Sequence, residues 1–191
     1  MTKTIILILS ISLISPLIHS QVPKSICVKP GISTAYMHYN DGKTHTYPGS
    51  FYVGVNLEFM QHKYFSILAE GGFASKSDHF VYISPLFKAR MEFDKFIPYV
   101  YAGPRLDFVV TTYSQRQTGS YEKYNISVFG LSYGVGLELM FEPFGYVLGF
   151  QHQYDISNVL NESKISSEDS NYNHSTLIFS LGMKAYFGKK E

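Results

Sequence analysis

The feature that most constrains this chain is an alternation of residue character with a period of two, one face apolar and almost uncharged, the other small or polar. From Phe51 the odd positions read Phe51, Val53, Val55, Leu57 and Phe59, and the even ones Tyr52, Gly54, Asn56 and Glu58. This is the period of a strand with two unlike faces. Between Val128 and Phe141, Phe129, Leu131, Tyr133, Val135, Leu137, Leu139 and Phe141 share one face, opposite Gly130, Ser132, Gly134, Gly136 and Glu138. Near the C-terminus Leu177, Phe179, Leu181, Met183, Ala185 and Phe187 oppose Thr176, Ile178, Ser180, Gly182, Lys184 and Tyr186. Less regular alternation over about 28–39, 64–74, 79–93, 96–112 and 146–157 completes eight predicted strands.

The connections between them are unequal. Those after strands two, four and six, around Gln61-His62-Lys63, Asp94-Lys95 and Glu142-Pro143, are short, and those after strands one, three, five and seven are usually longer. An even number of antiparallel strands joined alternately by short and long connections is the organisation of an outer-membrane barrel. The expected fold is therefore all-β: an eight-stranded antiparallel up-and-down transmembrane β-barrel, with short periplasmic turns, longer extracellular loops and both termini on the periplasmic side. Thr111 to Ser127 and Ser157 to Ser175, where alternation gives way to Ser, Asn, Gln, Glu and Tyr, are read as the longest loops.

A soluble barrel also alternates, so the polarity of the faces decides. Its outer face would carry Lys and Glu, whereas the apolar face here is nearly free of charge and only 16% of the chain is charged, against about 25% in ordinary soluble domains. A charge in the middle of a lipid-facing wall costs about 2 to 4 kcal/mol, and lipid tolerates no open sheet edge, which forces closure. Phe59, Tyr64, Phe65, Phe93, Phe96, Phe141, Phe144 and Tyr146 flank the short turns, and Tyr36, Phe51, Phe73, Phe80 and Tyr154 lie near the opposite ends. Such girdles suit the two headgroup boundaries. By parity Lys29, Glu58, Glu70, Lys88, Arg90, Glu92, Arg105, Asp107, Glu138, Asp155 and Lys184 point inward, where nearly balanced charges in a narrow lumen are expected to form one ion-paired plug.

Met1 to Ser20 reads as a signal peptide, with Lys3 before an apolar core from Ile5 to Ile18, leaving 21–191 as the barrel domain and placing it in the outer membrane of a Gram-negative bacterium. Of 16 basic residues, Lys3 lies in that leader, so 15 remain against 15 acidic ones. A mature chain near neutrality lacks the electrostatic footprint of a nucleic-acid binder. Cys27 is the sole cysteine and is read as a plain thiol where strand one begins.

Pro98-Tyr99-Val100-Tyr101-Ala102-Gly103-Pro104 resembles a strand of the outer-membrane β-barrel domain common in Bacteroidota and often labelled PorT-family. Ile83-Ser84-Pro85-Leu86-Phe87-Lys88 and Gly130-Leu131-Ser132-Tyr133-Gly134-Val135-Gly136-Leu137-Glu138 are similar to two further strands of that family, and the resemblance spans about residues 25–188. Strand seven departs, with Gln151-His152-Gln153-Tyr154-Asp155-Ile156-Ser157-Asn158 where the family tends to carry Arg-Tyr-x-Tyr-Gly-Leu-Thr-Asn. The resemblance implies a small OmpA/OmpX-like barrel and assigns no role in secretion.

No phosphate-cradling loop, nucleophile elbow or metal-spaced His/Cys cluster stands out, so no cofactor and no metal are expected. The function read from the sequence is that of a non-enzymatic, monomeric barrel. It touches outer-membrane lipid and meets an unknown extracellular ligand or protein through Tyr113, Arg116, Tyr121, Tyr124 and Tyr172. The alternative is a lipid-modifying enzyme of lipid A deacylase or acyltransferase type. It would use the lipid-facing His152 with a hydroxyl on a neighbouring strand, such as Tyr133 or a Ser near the rim.

Overall fold

The computed structural model describes residues 23–39, 44–60, 62–75, 79–111, 127–157 and 172–187; Met1 to Ser20, expected to be a signal peptide, lie outside them. The elements are β1 (Ser25–Tyr39), β2 (Thr44–Phe59), β3 (Phe65–Ser75), β4 (His79–Arg90), β5 (Phe96–Thr111), β6 (Ser127–Phe141), β7 (Phe144–Asp155) and β8 (Tyr172–Tyr186). Each strand pairs antiparallel with the next, and β8 returns to β1 from Ser25↔Tyr186 to Tyr39↔Tyr172, closing the cylinder. The ends of β1 and β8 carrying Ser25 and Tyr186 lie at the same rim as the short β2–β3, β4–β5 and β6–β7 turns.

The wall sorts side chains by parity. Val55, Val100, Val135, Leu148 and Leu181 project outward and are exposed, while Tyr52, Tyr82, Ile97, Val128 and Ile178 point inward and are buried. Facing strands complement one another in bulk inside: a Cβ placed on Gly136 would meet the ring of its cross-strand partner Tyr99 at 2.3 Å. Glycine there makes room for tyrosine, so the narrow lumen is filled by side chains from its own wall.

Four expectations are corrected. The first connection is short, residues 40–43, because β2 begins at Thr44 and pairs with β1 through His38↔Thr44, Met37↔His45 and Tyr36↔Thr46. This stretch shows no two-faced alternation because Thr44, His45 and Thr46 are all exposed and nothing separates an inner from an outer side. One extra β2 residue bulges between the Ser33↔Ser50 and Ala35↔Tyr47 pairs, and Gly49 there takes a φ of 72°, which glycine adopts without steric cost. The connection after β3 is likewise short, residues 76–78. At the far end β8 starts at Tyr172, so the last loop stops before the Ser175 assigned to it. Phe80, placed in the outer girdle by proximity to a strand end, is fully buried in the lumen, because β4 turns its even positions inward.

Candidate functional site

Inside the barrel the polar residues gather at three levels. Nearest the short turns, Glu58, Lys88, Glu138 and Lys184 come from β2, β4, β6 and β8, so that signs alternate around a closed ring. Lys88 Nζ lies 3.4 Å from Glu58 Oε1 and also donates to Glu138 Oε1. Lys184 Nζ sits 2.9 Å from Glu138 Oε2 and donates to Glu58 Oε2. Glu58 further accepts from Ser66 at 2.5 Å and Ser25 at 3.2 Å, and Arg90, paired with Glu92, approaches it at 3.5 Å. All four ring members are almost fully buried. Every charge therefore has two opposite neighbours, the condition under which attraction can offset desolvation in a dry site. Tyr99 lies against the Lys88 ammonium, 4.5 Å from ring centroid to Nζ. The space left around the ring is about 20 Å³, room for about one water. Cys27 packs beside this level with Leu68, Leu86, Tyr99, Tyr101 and Val147.

At mid-height Lys29 of β1 pairs with Glu70 of β3 at 2.7 Å. Glu70 Oε1 also accepts from Tyr82 at 2.7 Å and from Gln151 Nε2 at 2.9 Å. Because the Tyr82 proton is engaged by Glu70, the Tyr52 hydroxyl, 2.9 Å away, donates to Tyr82. Towards the long connections, Arg105 Nε meets Asp107 at 2.5 Å, Nη2 donates to Asp155, and Nη1 reaches the Leu131 carbonyl at 3.3 Å. His174 Nδ1 lies 3.2 Å from Asp155 Oδ2, and its ring meets Phe80 edge-on. Beside them the buried Gln153 amide and Thr176 hydroxyl have no hydrogen-bond partner among the described residues.

Glu58, Glu70, Lys88, Arg90, Arg105, Asp107, Glu138 and Lys184 thus all lie inside the barrel, distributed over separate levels where the sequence suggested one plug. Of the loop residues, Tyr113, Arg116, Tyr121 and Tyr124 lie outside the described residues; Tyr172 opens β8, and only its backbone is described. Among the described residues no cluster of three or more His, Cys, Asp or Glu side chains suits a metal ion.

On the outer wall, His152 of β7 stands directly across from Tyr133 of β6, with Nδ1 2.5 Å from the Tyr133 hydroxyl. Its Nε2 lies 2.5 Å from Ser175 Oγ on β8. Sequence reasoning assigned Ser175 to a loop and overlooked His174. Carrying the alternation of β8 back past Thr176 would have placed His174 in the lumen and Ser175 on the wall.

No protein-family model matches the sequence, and no curated protein does. Solved structures match in shape. The N-terminal β-barrel domain of Pseudomonas aeruginosa OprF shares 15% identity over 87% of this chain and 100% of that one, with a TM-score of 0.53. Neisserial surface protein A shares 15% identity over 85% and 97% of the two chains, with a TM-score of 0.56. The fold is that of small transmembrane barrels of the outer membrane.

Proposed function

We propose that this chain is an integral outer-membrane protein of a Gram-negative bacterium, a closed barrel that conducts nothing and works from its outer surface. The alternating Glu58–Lys88–Glu138–Lys184 ring across the lumen carries this reading. An ion would have to separate buried opposite charges to pass it, and residual space of about 20 Å³ offers no continuous aqueous path. The apolar outer wall supports insertion, and the OprF and NspA barrels support the compartment. With the lumen filled and the wall turned to lipid, recognition of an extracellular ligand or protein falls to the connections between β5 and β6 and between β7 and β8, where Tyr113, Arg116, Tyr121, Tyr124 and Tyr172 supply groups enriched in binding hot spots. Membership of the PorT-like group belongs to the same proposal and rests on the strand motifs from Ile83, Pro98 and Gly130.

In planar bilayers the folded protein, recognised by heat-modifiable migration, should show no sustained conductance. A stable porin-sized pore would overturn the reading. Val55→Arg should impair insertion by about 2 to 4 kcal/mol, and Asn56→Arg far less, because Val55 faces outward and Asn56 inward; equal assembly of both variants would count against the assigned wall.

A further inference from the structure

We propose that Ser175, His152 and Tyr133 form a hydrolytic site on the lipid-facing wall, acting on the carboxylic ester that joins an acyl chain to a membrane lipid. The inference rests on that wall facing lipid and is independent of whether the lumen conducts. A neutral imidazole has one donor and one acceptor nitrogen. With Nδ1–H donating to the Tyr133 oxygen at 2.5 Å, Nε2 presents its lone pair to the Ser175 hydroxyl, also at 2.5 Å. Nucleophile, base and orienting acceptor then stand in line, the order that serine-based acyl transfer requires.

The surface beside the trio suits such a substrate. A trough of about 530 Å³ runs along the outer wall over Phe87, Val100, Ala102, Val135 and Phe150, and reaches Tyr133 and His152. The register orders it: Val100, Val135 and Phe150 face one another across β5, β6 and β7, and Ala102, Tyr133 and His152 form the next outward row towards the long connections. Ser175 stands two residues further that way than Leu177, the cross-strand partner of His152. An acyl chain lying in the trough towards mid-membrane thus brings its ester up to the polar trio at the headgroup side. Ser175 keeps 9% of its surface exposed and His152 is partly exposed.

In the reaction, the Ser175 proton passes to Nε2 as Oγ attacks the ester carbonyl carbon. The tetrahedral adduct collapses with cleavage of the carbon–oxygen bond to the lipid alcohol, which leaves with the proton from the imidazolium. Water at the headgroup boundary then attacks the acyl-serine with His152 again taking the proton, so one fatty acid and one alcohol form per water consumed.

The test uses the full folded protein in two kinds of vesicle, one of phosphatidylethanolamine and phosphatidylglycerol, the other containing an acylated glycolipid. Free fatty acid is measured, and a fluorophosphonate probe is mapped by mass spectrometry. Release should exceed that of Ser175→Ala and His152→Ala by about 100-fold, and the probe should sit on Ser175; the vesicle that supports release identifies the lipid. Tyr133 is a positioning residue, so Tyr133→Phe should lower kcat about tenfold with KM unchanged, the scale of a lost orienting hydrogen bond. A heat-modifiable wild type that neither releases fatty acid nor takes the probe overturns the proposal, as does release that survives Ser175→Ala. A Tyr133→Phe effect confined to KM removes Tyr133 from the trio. If the alanine variants fail to fold, the residue labelled in the wild type decides: label on Ser175 supports the site and label elsewhere defeats it.

Discussion

The two ends of the lumen bury charge in opposite ways. At the turn end, two carboxylates and two ammonium groups alternate around four strands, with Arg90–Glu92 and two serines attached. At the loop end, one guanidinium on β5 faces two carboxylates, on β5 and β7, with an imidazole on β8 beside them. The first arrangement is redundant, since each ring member keeps a second opposite neighbour when one is removed. The second is a hub. What the difference teaches is that a shared partner, more than the number of charges, sets the vulnerability of a buried group.

The comparison breaks if the ring proves as fragile as the hub. Arg105→Met should have the largest effect, about 3 to 5 kcal/mol, because Asp107 and Asp155, both fully buried, lose the guanidinium they share. Urea unfolding in detergent or lipid, followed by the heat-modifiable band, measures it. Glu58→Gln should cost less, about 1 to 3 kcal/mol, because Lys88 and Lys184 keep Glu138 and Arg90 keeps Glu92; a loss matching that of Arg105→Met in the same assay would refute the redundancy.

A sharper form removes one of each sign from the ring. The double variant Lys88→Met with Glu138→Gln should be less destabilised than the sum of its single changes, by about 1 to 3 kcal/mol of coupling, while additivity would show that the ring does not act as a unit. Smallest of all, Thr176→Val should change stability by less than about 1 kcal/mol or raise it, since the hydroxyl has no hydrogen-bond partner among the described residues and an apolar group of the same shape relieves that burial. A large loss would mean that the Thr176 hydroxyl supports the Arg105 hub.

Much of the barrel was legible in particular residues. The run from Phe51 to Glu58 reveals a wall and a lumen without any coordinates, because a strand sends successive side chains to opposite faces and lipid admits few charges. The signal failed where the two environments stop differing. His45 and Thr46 extend β2 beyond the apolar belt with both faces exposed, so they read as loop. His174 and Ser175 sit at the start of β8 beside a polar stretch and were lost with it, although they carry lumen and outer-wall chemistry respectively.

The sequence by itself determined that this chain forms a closed sheet with an apolar exterior and a charged interior, since both follow from a local period of two and from the solvent that each face must meet. Only the tertiary structure decided which charges meet. Lys184 and Glu58 are 126 positions apart, and Arg105 and Asp155 are 50 apart. Parity can send such residues inward, but their pairing depends on the stagger accumulated across the strands when β8 closes on β1. The outer-wall trio depends on the same register: Tyr133 lies opposite His152, and β8 brings Ser175 to the other nitrogen. Closure couples every strand's register to every other's, and no local stretch of sequence contains that sum.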